Sequence, residues 1–432
     1  MKRMFSLITV AILFFACSRE KGITAPDNSM EIRQAGVSVI AEQTYYDKVL
    51  GLLIGSAIGD AMGAPTEMWS RREISTGYGF VDDLDSMIRT PSAEGTWLYN
   101  LPAGGTTDDT RWKKLFVNFA VDESWPDLLP ENFAGYIVET YKADIKNLKA
   151  TEGFKPGPYE ANLMKMAWLQ EWAVVGDAYI NHDIKGYSNS VSKFYGGEMT
   201  CAGMLYSPLI GACAPADPLV AYQTGYDLSI FDIGYARDIT ALVSAMVSQA
   251  FDTTATNTSL GEVIRTVDPN EYFKSRLVGR AAYRFYQSAK AIVAESKELT
   301  IADIPPDFRI PREWQPMDSL RYLQLSHAYA MLDNLNEDMP FHAGEIYLIT
   351  ITSMLFSDFD FQHTMEFIVN YGRDNDTVAA VAGAILGAYY GADRLPQTQV
   401  NKILQINKEL LDTDLEELAR DMTTKYLEAQ KR

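Results

Sequence analysis

Glycine recurs at every fourth position from Gly51 through Gly55 and Gly59 to Gly63, within a run of otherwise small and apolar residues. On an α-helix this spacing falls along one stripe, leaving a bare strip of backbone onto which another segment can close. A helical glycine costs about 1 kcal/mol relative to alanine, so its repetition calls for a packing reason. The same device returns at Gly383, Gly387 and Gly391. In lipid such a stripe would pair two spanning helices. Here the apolar run is short and is interrupted by Asp60, which favours a buried core helix. Two arrangements satisfy the pattern at the protein's centre. Either the stripes lie against each other, or each faces a separate bulky neighbour.

The rest of the chain reads as helical. Apolar periodicity predicts helices over 111–120, 126–148, 160–175, 233–251, 273–296, 320–336 and 361–371, with Pro126 in the first turn of its helix, where no donor is missed. Residues 346–355 are ambiguous, because their Ile, Thr and Tyr content would also suit a strand. Residues 400–432 alternate charged and apolar side chains like an amphipathic surface helix or pair. Pro305, Pro306, Pro311 and Pro316 mark a long irregular surface connection. No composition shift divides the chain after its start. The expected fold is a single all-α domain over 41–432.

The start has a different character. Lys2 and Arg3 precede a mostly apolar stretch ending at Ala16, too short for a membrane span and suited to a signal peptide over residues 1–16. Cys17 follows directly, as in the cleavage box of bacterial lipoproteins, and is the expected lipidation site. Residues 17–40 then form a polar tether. The chain is therefore expected to be an exported cell-envelope lipoprotein, periplasmic or attached to the outer membrane, that meets the membrane only through this anchor.

Charge and residue usage exclude several functions. With 38 basic and 57 acidic residues the formal charge is −19, which argues against nucleic-acid binding. An anionic substrate would need local help from a cation or a helix N-terminus. The histidines, His182, His327, His342 and His363, are scattered, and no CxxC or HExxH occurs, so an ordinary zinc site is not expected. Cys201 and Cys213 could form a disulfide or remain as buried thiols. The expected state is a monomer acting on a small molecule.

The acids gather at helix starts. Asp374, Asp376 and Thr377 open the second glycine-striped helix, and Thr107, Asp108, Asp109 and Thr110 open the helix near Arg111. Asp and Thr are good N-caps, so each cluster alone reads as a helix start. Two such clusters also offer carboxylates and hydroxyls to a hard divalent cation. If they converged, mutual repulsion would raise their pKa values unless cations neutralised them. Oxygen ligands without nitrogen or sulfur favour magnesium or manganese. The first striped helix ends in GDAMGAPTE, in which Asp60 reads as a buried turn-stabilising acid and Glu67 lies on a loop.

The ordered stretches GDAMGAPTE, TTDDT and GRDNDTVAAVAGAILGAYYG resemble the signature of the ADP-ribosylglycohydrolase family, across about residues 45–395. The resemblance implies an all-α orthogonal helical bundle around a central site holding two Mg²⁺ or Mn²⁺ ions. Carried over by motif, Thr107, Asp108, Asp109, Asp374, Asp376 and Thr377 would ligate metal, and Glu67 and Asp109 would act in catalysis. Tyr195, Gly196 and Gly197 would form the substrate loop, and the reaction would be hydrolysis of a ribosyl glycosidic bond in ADP-ribosylated molecules or an ADP-ribose derivative. Glu198 beside that loop, and Leu205 in place of an arginine, depart from the family pattern. Two alternatives therefore stand beside it: a hydrolase of nucleosides or other small glycosides at the cell envelope, and a catalytically inactive ligand-binding lipoprotein.

Overall fold

The two glycine stripes lie against each other. In the computed structural model, which describes residues 39–87, 101–125, 128–150, 169–268, 280–315 and 317–431, helix α1 (Glu42–Gly63) runs antiparallel to helix α6 (Asn375–Tyr390). A Cβ on Gly51 would fall within 3.0 Å of the Gly387 carbonyl, one on Gly55 within that distance of the Gly383 carbonyl, and one on Gly59 of the Ala379 carbonyl. Each stripe is thus the other's bulky neighbour in backbone form, and this is the most extensive helix contact among the described residues. Helix α1 is long and apolar enough to cross a membrane, but its apolar window is entirely buried within the protein, as a core helix is.

The other helices wrap this pair. Around it lie α2 (Asp108–Asp122), α3 (Ala236–Phe251), α4 (Ala343–Phe356), α5 (Phe361–Tyr371), α7 (Gln397–Leu410) and α8 (Leu415–Ala429). Every residue of α6 from Asn375 to Ala388 is buried, so its lack of a polar face follows from its central place. Lys48 of α1 is buried and donates from Nζ to the carbonyls of Ala250 (2.7 Å), Ala388 (2.9 Å) and Tyr389 (3.3 Å). It satisfies orphan carbonyls at the ends of both α3 and α6. Tyr45 stacks on Tyr426 with ring centroids 3.9 Å apart, fastening α8 to α1.

The described residues contain no strand, and the ambiguous stretch 346–355 is the middle of α4. Burial on all sides decides in favour of the helix there, and the Thr350 hydroxyl returns to the Ile346 carbonyl at 2.8 Å. The helix expected from Pro126 begins at Pro130. Residues 397–410 and 415–429 form the expected amphipathic pair. The expectations for residues 1–38, including Cys17, for Pro126 and Pro316, and for parts of 160–175 and 273–296 lie outside the described residues. Cys201 and Cys213 are free buried thiols.

Candidate metal centre

An antiparallel pair brings the C-terminal end of α1 to the N-terminal end of α6. The last glycine of the first stripe, Gly63, meets the backbone of Asp376 so closely that a Cβ there would lie within 3.0 Å of it. The chain then makes a short turn at Ala64–Thr66 and delivers Glu67. That turn is pinned to the loop before α6. Met68 N–H donates to the Arg373 carbonyl (2.7 Å), Arg373 N–H to the Trp69 carbonyl (3.1 Å), and Asn375 Nδ2 to Thr66 Oγ1 (2.9 Å).

The loop itself is tightly bent. Gly372 has φ +91° and Arg373 φ +66°, a conformation that is uncommon for arginine. Its guanidinium is held by buried Glu345, at 2.7 Å from Nε and 2.8 Å from Nη2, and by the Glu337 carbonyl at 2.6 Å. This clamp keeps Arg373 in its left-handed conformation and so sets the direction in which Asp374 enters the site.

Glu67, Asp374 and Asp376 converge, each offering a carboxylate oxygen within 4.8 Å of the others. Asp374 occupies the N-cap position of α6 but makes no capping hydrogen bond through its side chain, so the cap reading of this residue is corrected. Its carboxylate is turned toward the other acids. Asp376 Oδ1 is buried and has no hydrogen-bond partner. Burial first, and then the neighbouring Glu67 charge, push the carboxyls of Asp374 and Asp376 well above the usual carboxylate range. An all-oxygen donor set with an orphaned buried oxygen and mutual repulsion fits a hard divalent cation. The N-terminal end of the α6 dipole, adjacent to these acids, favours their ionised forms.

The second acidic cluster sits on α2. Thr107 caps that helix, its hydroxyl accepting from Asp109 N–H at 3.3 Å. Asp60 does not stabilise its own turn. It reaches across to α2 and accepts from the N–H groups of Thr107 (3.0 Å) and Thr110 (3.0 Å) and from Thr110 Oγ1 (2.6 Å). Burial and then Asp109 push Asp60 up to about 7. The two clusters are joined where Thr377 Oγ1 donates to Asp109 Oδ2 at 3.0 Å. Asp109 lies beside the three converging acids and is not one of them, and Asp108 is partly exposed at the first turn.

Tyr195, Gly196 and Gly197 form a left-handed turn, with φ +45°, +80° and +83°. Tyr195 N–H donates to a Glu171 carboxylate oxygen at 2.9 Å. Its ring rests on Phe194 and Trp172, and its hydroxyl is pushed up to about 12 by burial, with Asp108 adding to the shift. Glu198 is exposed and Leu205 buried.

Three features escaped the sequence reading: the role of Asp60 as anchor for α2, the Glu345–Arg373 clamp, and Lys113, whose ammonium lies 3.3 Å from Asp109 Oδ1. The i,i+4 spacing of Asp109 and Lys113 was a usable signal for the last. Nothing in the local sequence marks the other two.

The sequence model of the ADP-ribosylglycohydrolase family matches residues 41–432. The uncharacterized protein YegU of Escherichia coli (strain K12) is 44% identical over 105 residues, 24% of this chain and 30% of that one. The ADP-ribosylhydrolase ARH3 of Homo sapiens is 49% identical over 37 residues, 9% of this chain and 10% of that one. The aligned segments thus span less than two thirds of these curated relatives. Among solved structures, a chain of an ADP-ribosylglycohydrolase-related protein complex matches with a TM-score of 0.53 and 16% identity, covering 89% of this chain and 99% of that chain. At that identity the likeness is one of fold.

Proposed function

The chain belongs to the ADP-ribosylglycohydrolase family, and on that premise we propose that it is a metal-dependent glycosidase hydrolysing a ribosyl glycosidic bond in ADP-ribosylated molecules or an ADP-ribose derivative. The observation that carries this reading is the convergence of Glu67, Asp374 and Asp376, with Asp376 Oδ1 buried and lacking a hydrogen-bond partner. Asp374, Asp376, Thr377 and Glu67 would hold a magnesium or manganese ion from one side, with Thr107, Asp108 and Asp109 on the other. The resemblance implies two such ions. When bound, the metal supplies Lewis acidity and a template for the substrate hydroxyls.

The chain's own groups do the rest. Glu67, at the edge of the buried set, handles the proton that moves as the glycosidic bond breaks around an oxocarbenium-like transition state. Asp109, fixed by Thr377 and Lys113, presents a carboxylate at the same mouth. The Tyr195–Gly197 turn would seat the substrate beside Asp108. A second reading keeps this chemistry but takes a nucleoside or another small glycoside, and exposed Glu198 favours it because a carboxylate there repels a pyrophosphate. For location we propose export and lipidation at Cys17, with the protein monomeric. Loss of radiolabelled-palmitate incorporation in Cys17→Ala would support the anchor, and unchanged incorporation would refute it.

The activity is tested by incubating the purified protein and magnesium with ADP-ribosyl-arginine, ADP-ribosyl-serine and nucleosides, with Asp374→Ala and Asp109→Ala in parallel. Product from the wild type alone supports the assignment. Equal product from either variant, or metal binding with no turnover of any substrate, overturns it.

A further inference from the structure

A cation of the protein's own already stands in the centre. Lys113 lies one turn beyond Asp109 on α2, so the two side chains share a face. Its side chain is 1% exposed and that of Asp109 3%, with Nζ 3.3 Å from Oδ1. The other Asp109 oxygen accepts the Thr377 hydroxyl at 3.0 Å. Both oxygens of Asp109 are therefore committed, whereas Asp376 Oδ1 has no partner. The three acids that converge within 4.8 Å, Glu67, Asp374 and Asp376, exclude Asp109.

We infer that this chain holds one divalent cation, at Glu67, Asp374 and Asp376, and that the Lys113 ammonium beside Asp109 takes the place of a second. The inference rests on the metal-dependent reading given under the proposed function, and it narrows the expectation of two ions to one. The reason is electrostatic. A dication drawn to Asp109 would share a few ångströms with a fixed positive charge that no solvent screens, and repulsion in such a site is far stronger than in water. The anion on that side is also already neutralised. Asp109 with Lys113 carries no net charge, while Glu67, Asp374 and Asp376 gather three carboxylates within 4.8 Å of one another. The remaining candidates on the α2 side add little. Thr107 uses its hydroxyl to cap its own helix, and Asp108 is partly exposed. The charge of an ammonium cannot be chelated away, so the α2 half of the mouth keeps its compensation when the α6 half loses its metal.

The test is stoichiometry, which needs no turnover. Metal-free protein is titrated with Mn²⁺ and followed by calorimetry and electron paramagnetic resonance, for the wild type and for Lys113→Met, with a thermal melt of each. The expected result is one tightly held ion per wild-type chain, giving an uncoupled mononuclear signal. Lys113→Met should take up a second ion at least about 100-fold more tightly than the wild type does, with spin coupling between the two. Two ions in the wild type would overturn the inference and leave the metal centre standing. One ion in both proteins would remove Lys113 from its assigned part. No ion in the wild type would overturn this inference and the metal-centre reading together. The wild-type measurement decides the number of ions even if the variant fails to fold.

Discussion

Along the line where α1 meets α6, one end is held by an excess of fit and the other by an excess of charge. In the seam, Gly51, Gly55 and Gly59 bring backbone against backbone, and there is no room for a single added carbon. At the mouth, the same helices end in Glu67, Asp374 and Asp376, which repel one another and leave a buried oxygen without a partner. The seam is complete in itself, because sterics determine it. The mouth is incomplete, because carboxylates this close repel one another until a cation or a proton relieves them. The rigid seam keeps the mouth's acids together against their repulsion.

This contrast predicts opposite signs for substitutions a few turns apart. The largest effect belongs to the seam. Gly55→Val should cost more than about 4 kcal/mol and leave little folded protein, read by thermal melting and near-UV circular dichroism. A variant that melts like the wild type would mean the helices are not in backbone contact. Next comes Asp374→Asn at the mouth. It should lower metal affinity by more than the about 10- to 100-fold that losing an outer-shell partner costs, and abolish turnover with it. The same variant should melt higher than wild type in EDTA, because a repelling charge is gone. A lower melting point there would show that the acids are satisfied without a cation.

Metal removal probes the same difference from the ligand's side. Magnesium at 100 times its dissociation constant should stabilise the wild type by about 2.7 kcal/mol. It should leave Asp374→Asn nearly unmoved, as scanning calorimetry would show. A smaller effect is expected at Glu345. Glu345→Gln loosens the clamp on Arg373, and should weaken metal binding about 10-fold while shifting the melting temperature little.

Asp232 provides a control in a third place. It is buried and accepts from Gly203 N–H (3.0 Å) and the Thr240 hydroxyl (2.6 Å), and burial pushes it up to about 6. A carboxyl raised in the folded state contributes stability fully below its unfolded pKa and loses it as pH rises through the folded value. Asp232→Asn should therefore gain on wild type between about pH 4 and pH 6 and hold that gain above, while matching it in more acid solution. This dependence should be indifferent to magnesium, unlike that of the mouth. Sensitivity to magnesium would place Asp232 within the metal's reach.

Much of the architecture was legible because its signals are local and periodic. The glycine spacing marked both central helices, and the helix Phe361–Tyr371 was bounded as found. Residues 346–355 were undecidable, since β-branched side chains fit either form and burial on all sides settled the matter. The cap reading of Asp374 failed for a related reason. A helix start invites its carboxylate to bond its own backbone, but here the bent loop at Gly372 and Arg373 turns it toward the neighbouring acids.

By itself, the sequence determined two small-residue helices, acids at two helix mouths and the order of three motifs, because these depend on residue type and spacing along the chain. The tertiary structure decided that the stripes close on each other in antiparallel sense, and that this closure carries Glu67 to Asp374 and Asp376. It also assigned Asp60 to a helix distant in sequence and placed a lysine against Asp109. These partners meet only after folding, and which charge lies beside which is a matter of distances that spacing along a chain does not specify.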